Sequence, residues 1–191
     1  MDSLCCLRNS QMAWYKYNTS RVHDGETIPG VYLPVVINNL NHYFAFLGIY
    51  RDSMIDCWGL CTFDEFVDKV RSDWVTNCVP NGKSFEIHHL FRMRVDDSRP
   101  HGSPDDLIKD VRSAIDELNG REPAQNRFVF ALKKYRTSST SENLDELRIE
   151  HEALPTYYYQ YTFGSRFERF PEIQTLLGIA RTKQRGDSES S

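Results

Sequence analysis

Residues 30–58 read GVYLPVVINNLNHYFAFLGIYRDSMIDCW, and the pattern of this stretch decides the fold. Two apolar runs, 31–37 and 43–50, are rich in β-branched and aromatic residues, which suit a pleated, half-buried surface. Asn38, Asn39, Leu40 and Asn41 join them through a turn-rich connection. Arg51, Asp52 and Ser53 then close a second hairpin onto residues 54–58. The stretch predicts a packed antiparallel β-meander with little room for a solvent-facing catalytic loop.

Working outward towards the C-terminus, Gly59 ends the meander and Thr62 is a good helix N-cap, with Glu65 three residues later completing a capping box. Phe63, Phe66, Val67 and Val70 fall at i, i+3, i+4 and i+7, one apolar face of a short helix that covers the sheet. Asp64, Glu65 and Asp68 take the other face, and Lys69 and Arg71 sit at its C-terminal end, where the macrodipole favours cations. Pro80, Asn81 and Gly82 form a turn, after which 84–90 and 91–95 read as strand with a break at His88 and His89. Ser103 caps a second helix with Pro104 at its first position, and Leu107, Ile108, Val111, Ile115 and Leu118 make its apolar stripe. Asn119 and Gly120 stop it.

Residues 128–135 read as a further strand, 137–143 as a low-complexity mobile loop, 144–154 as a short helix or an edge strand, and 157–163 as a final strand. Residues 171–179 read as a closing helix. Upstream, 14–17 form a short first strand and 22–29, with the Asp24-Gly25 turn pair, a loop. The expected organisation is a flexible leader over 1–11, a single α+β domain over 12–180 with its sheet covered by two or three helices, and a disordered polar tail over 181–191.

The chain has 191 residues, of which 40% are hydrophobic, enough to bury a core without disulfide staples. The net charge of −4 argues against a general nucleic-acid binder, whose affinity rests on neutralising phosphates. No window approaches the roughly 18 apolar residues of a membrane span. Five cysteines, an odd number, with no secretory pattern at Met1-Asp2-Ser3, fit reduced thiols in a cytoplasmic protein. Neither a membrane partner nor a cofactor is expected.

Several residues could carry chemistry. Cys57 and Cys61 have a spacing that zinc sites use, with Cys78 and His88 or His89 as further ligands. No second close pair follows at the usual distance, so no metal is expected and Cys57 reads as a small buried hydrophobe. Cys61, just ahead of a helix, meets the positional test for a nucleophile with His42 or His88 as base, but no oxyanion-forming turn adjoins it. Asp56 shares a strand face with Met54 and Trp58, and its simplest role is a structural hydrogen bond to a loop amide. A small hydrolase or nuclease-like site would gather His42, Asp56 and His88 or His89 around the meander.

The tyrosine run is the other unusual feature. On a strand, Tyr157, Tyr159 and Tyr161 share one face, with Arg166 and Arg169 following. Tyrosine offers apolar area with a polar tip and is favoured at interfaces. Arg and aromatic interleaving also suits base stacking, though the acidic balance disfavours it.

The run Gly30-x-x-x-Pro34-Val35-x-Ile37, then His42-Tyr43-Phe44, Ile55-Asp56-Cys57-Trp58-Gly59, Trp74-Val75 and Ile87-His88-His89-Leu90, resembles a pattern in small uncharacterised bacterial proteins. The resemblance covers residues 14–95. Some proteins of this general build are immunity or accessory partners in bacterial conflict systems, so the resemblance implies such a role and transfers no functional residues. The expectation is a protein-binding module, in its most specific form an immunity-type antagonist of a toxin or effector. Its contact surfaces would be Tyr157, Tyr159 and Tyr161 with Arg166 and Arg169, and the Asp64, Glu65 and Asp68 face. A homo-oligomer closing over the tyrosines is the blander form.

Overall fold

The computed structural model describes residues 17–97 and 102–158. The element order is β1 (Tyr17–His23), β2 (Glu26–Asn39), β3 (Asn41–Tyr50), β4 (Ile55–Asp56), β5 (Leu60–Cys61), α1 (Phe63–Arg71), β6 (Val75–Thr76), β7 (Ser84–Ile87), β8 (Phe91–Arg94), α2 (Pro104–Leu118), α3 (Ala124–Thr137) and α4 (Ser141–Glu152). The strands form one sheet in the order β1-β2-β3-β4-β5, with β6 on β2, β7 on β3 and β8 on β7. Every pairing is antiparallel except β3 with β7. The fold is therefore α+β, built on the expected meander.

Alternation along β2 and β3 sorts their side chains onto two faces. Val31, Leu33, Val35 and Ile37 stand opposite Ile49, Leu47, Ala45 and Tyr43 on one face. Most of these pack with Phe66 and Val70 of α1 and Leu107, Val111 and Ala114 of α2 into the main core. Both helices start on capping boxes, Thr62 with Glu65 and Ser103 with Asp106, which satisfy amide donors that the first turn leaves unpaired. Thr62, Ser103, Pro104 and Asn119 occupy the expected terminal positions.

Two regions depart from the sequence reading, the first hairpin and the chain after α2. Residues 22–29 are not a loop: they are the two arms of the β1–β2 hairpin around Asp24 and Gly25, whose φ values of 50° and 80° are those of a tight hairpin turn. Residues 128–135 lie in α3 rather than in a strand. Their β-prone composition is overridden by Ala124, Phe128, Ala131 and Leu132, a helical stripe that packs on Leu147 and Leu154 as a second core. The loop expected over 137–143 shrinks to 138–140, because Thr140 caps α4 by accepting from the Asn143 amide. Residues 144–152 resolve to helix, and Tyr157 and Tyr158 lie in a helical turn, not a strand. The leader, the tail, the 171–179 helix and the rest of the 157–163 strand fall outside the described residues.

Polar links join α3 to α4 and fasten the hairpin to α2. Arg127 donates to Glu150 at 2.8 Å and lies 3.7 Å from Asp116, while Arg121 pairs with Asp116 at 3.1 Å. Lys109 donates to the Leu154 carbonyl at 3.0 Å, and the Tyr157 hydroxyl donates to Asp110 at 2.5 Å.

Candidate functional site

The helices α1 and α2 cover one face of the sheet, and the opposite face carries aromatic rings. Tyr17 stands opposite Tyr32, Pro34 opposite Phe46, Val36 opposite Phe44, and His42 beside Phe85, all on that second face. Phe46 is the hub: its ring centroid lies 5.1 Å from Phe44, 5.9 Å from Tyr32 and 6.3 Å from Tyr17. Phe44 continues the series to Phe85 at 6.4 Å. Phe85 pairs with Met93 across β7 and β8. Tyr17, Phe46 and Met93 are each about half exposed, at 54%, 49% and 50%. A contiguous exposed patch of this kind marks interaction surfaces on soluble domains, whereas scattered single apolar side chains carry no such meaning.

A polar corner closes the patch near the end of β3. Tyr50 folds its ring over Gly30, where a Cβ would meet the Ile49 carbonyl and the Tyr50 ring at 2.6 Å, so only glycine fits beneath it. Arg21 stacks over that ring at 5.4 Å and pairs with Asp52. Burial pushes the Tyr50 hydroxyl pKa up, with Asp56 and Tyr32 adding to the rise, so the phenol stays protonated at neutral pH.

Along β3, β7 pairs His42 and Tyr43, and β4 pairs Gly48 and Ile49. Among the described residues no strand pairs that edge in between. A cleft of about 500 Å³ opens at this break, lined by Asn39, Tyr43, Phe44, Ala45, Phe46, Trp58 and His88.

The residues proposed for catalysis do not converge. Asp56 stands opposite Gly48, six positions along β3 from His42, or about 20 Å at strand rise. The exposed Asp56 carboxylate instead accepts from the Gly59 amide at 3.0 Å, the structural role expected of it. His42 is buried, with 6% of its surface exposed. His88 and His89 occupy the β7–β8 turn, at the break expected there, and their rings meet with centroids 3.9 Å apart and planes tilted by 52°. Cys57 and Cys61 are both buried, with sulfurs 3.6 Å apart. Burial, with the Cys57 hydrogen bond second, pushes the Cys61 thiol up to about 12, which leaves essentially no thiolate at neutral pH. Among the described residues no group of three His, Cys, Asp or Glu side chains could hold a metal ion.

Of the contact residues read from sequence, Asp64, Glu65 and Asp68 are exposed on α1, where they form an acidic face. Tyr157 is buried and bonded to Asp110, so it belongs to the junction between α4 and α2, not to a free surface. Tyr159, Tyr161, Arg166 and Arg169 lie outside the described residues. The sequence reading missed Tyr17, Tyr32, Phe44 and Phe46. The available signal was the even-numbered register of β2 and β3, which places large rings on the face opposite Leu33, Val35 and Leu47.

No helix among the described residues is long and apolar enough to cross a membrane. No curated protein and no solved structure matches the chain. Residues 18–122 match a family described as a domain of unknown function, DUF7638; this is more than half of the chain, which therefore belongs to that family. The match takes in the sheet from the second residue of β1 onward, with α1 and α2, and ends before α3.

Proposed function

We propose that this member of the DUF7638 family is a protein-binding module whose contact surface is the aromatic face, centred on Phe46, that α1 and α2 leave uncovered. The observation that carries the reading is the ring series Tyr17, Tyr32, Phe46, Phe44 and Phe85 on a sheet face that α1 and α2 leave uncovered. Aromatic residues dominate the anchoring positions of interfaces because each buries a large area with few rotatable bonds.

The most specific form of the proposal is an antagonist, of the immunity type, that binds and blocks a partner protein. The net charge of −4 and the exposed Asp64, Glu65 and Asp68 face suit a basic partner, since complementary charge raises the association rate. The test is affinity purification of the tagged chain from its native host, beside a Phe46→Ser variant. A stoichiometric partner retained by the wild type and lost by the variant, with circular dichroism unchanged, supports the reading. Equal retention by both chains removes this face from consideration.

A further inference from the structure

We infer that the outer edge of β8 takes up a strand from a partner protein, and that this strand alternates apolar and acidic residues. The inference goes beyond the aromatic face and does not rest on it, because the contact is made by backbone groups at the rim of the sheet.

Hydrogen bonds at the end of the β7–β8 hairpin fix which way the β8 backbone points. The Val95 amide donates to the Lys83 carbonyl at 2.9 Å, and the Val95 carbonyl accepts from the Gly82 amide at 2.7 Å, so Val95 turns both groups towards the β7 side. In a strand the N–H and C=O of one residue point the same way, and successive residues alternate. Phe91 and Met93 follow Val95 and face β7, where they stand opposite Ile87 and Phe85. Arg92 and Arg94 therefore aim their N–H and C=O groups away from β7. β8 pairs with β7 alone, so among the described residues these groups meet no strand. An open edge of this kind is a template for another chain.

The side chains select what that chain carries. All four residues of β8 are exposed. Phe91 and Met93, at 48% and 50%, lie with Phe85 on the face that bears the aromatic rings. Alternation puts Arg92 and Arg94 on the other face, both well exposed. Arg92 holds Glu86 through Nε at 3.1 Å and Nη2 at 2.7 Å, and its Nη1 remains for a second carboxylate. Arg94 lies 3.6 Å from the exposed Asp96. Directly opposed residues of an antiparallel pair share a face and interact. Incoming residues opposite Arg92 and Arg94 thus meet two guanidinium groups and are acidic, while those opposite Phe91, Met93 and Val95 are apolar.

A second copy of this chain does not meet that requirement. Antiparallel pairing of two β8 strands about Met93 sets Arg92 of each copy opposite Arg94 of the other. Pairing about Arg92 or about Arg94 sets that arginine against itself. Like charges directly opposed across a ladder are destabilising, so the two arginines guard the edge against self-association and leave it open to an acidic strand.

The test is titration of the full chain with an N-acetylated, C-amidated Thr-Val-Glu-Val-Glu-Val-Thr peptide, followed by amide chemical shifts and hydrogen exchange. The expected result is a saturable shift and slowed exchange at the Arg92 and Arg94 amides. The same peptide with Lys in place of Glu should bind about tenfold weaker, because two cross-strand attractions become two repulsions. The double variant Arg92→Glu, Arg94→Glu, changed only at exposed positions, should invert that preference while the rest of the spectrum is retained. N-methylation of both glutamates in the peptide should abolish binding, since it removes the donors to the Arg92 and Arg94 carbonyls. Arg92 and Arg94 amides unmoved by millimolar peptide overturn the inference. So do equal affinities for the Glu and Lys peptides, or undiminished binding of the N-methylated one. Shifts at Arg92 and Arg94 that follow chain concentration without peptide would give the edge to a second copy and overturn it as well.

Discussion

Thr156 donates both its amide, at 2.6 Å, and its hydroxyl, at 2.7 Å, to the carboxylate of Asp106, a residue with no exposed surface at all. The same carboxylate accepts from the Ser103 amide at 2.7 Å and hydroxyl at 3.1 Å, so one side chain caps α2 and anchors the chain that leaves α4. Burial alone would raise its pKa, but the bonds from Thr156 and Ser103 outweigh it and hold the carboxyl below the usual carboxylate value. Because the folded value is the lower one, the unfolded chain takes up the proton first as pH falls. The stability from Asp106 is thus complete above about pH 4 and is lost as pH drops through the depressed folded value. Asp106→Asn keeps the shape but removes the charge, and is expected to cost about 2 kcal/mol at neutral pH. Urea unfolding over a pH series checks both points: the variant should lose less stability than the wild type on acidification.

Gly102 sits against this junction. A Cβ there would lie 2.9 Å from Asp106 Oδ2, 3.1 Å from Asp106 Cβ and 3.2 Å from the Tyr157 ring. None of these neighbours is free to give way, since Asp106 is held by its four hydrogen bonds and Tyr157 by Asp110. Gly102→Ala is expected to destabilise by more than Gly25→Ala. Gly25 also has positive φ, at 80°, but nothing lies within 4 Å of its missing Cβ, so backbone strain of about 1 kcal/mol is the whole cost. Melting temperatures of the two variants, measured side by side, give the comparison.

How far the fold was legible depends on how local each signal was. The β2–β3 meander and the caps at Thr62 and Ser103 were readable because turn and cap chemistry resides in neighbouring residues. Helix α3 was misread because Phe128, Val129 and Phe130 are β-prone as a triplet, and only the longer spacing from Ala124 to Leu132 reveals the helical period. The aromatic face was hidden for a different reason. β2 and β3 are apolar on both sides, and which side is covered depends on where α1 and α2 dock. The bond from Thr156 to Asp106 spans 50 residues and leaves no local trace in the sequence.

The thiols give a prediction about reactivity. Cys61 is buried beside Cys57 and its pKa is raised to about 12, so at pH near 8 it remains a thiol. Cys78 is partly exposed. An alkylating reagent applied to the native chain should modify Cys78 well before Cys57 or Cys61, and all three should react in denaturant. Peptide-resolved mass spectrometry reads the order. Prompt labelling of Cys61 in the folded chain would revive the nucleophile reading.

The polar contact between α3 and α4 can be tested by a mutant cycle. Arg127 and Glu150 have side chains only 14% and 13% exposed and pair at 2.8 Å, with Asp116 on α2 as a second acid beside Arg127. Removing one partner leaves the other charge largely buried and underpaired, which costs far more than the pair contributes over an apolar substitute. Arg127→Met alone is expected to destabilise by about 2–3 kcal/mol, and Glu150→Met by a similar amount. The double variant should recover part of that loss, because no underpaired Glu150 charge remains, although Arg121 stays 3.9 Å from Glu150 in the Arg127→Met variant and pairs with Asp116 at 3.1 Å. Chemical unfolding of the three variants measures the coupling. A double variant as destabilised as the sum of the singles would show that the contact is not energetically shared, and would leave the apolar packing of Phe128 and Leu132 with Leu147 to join the two helices.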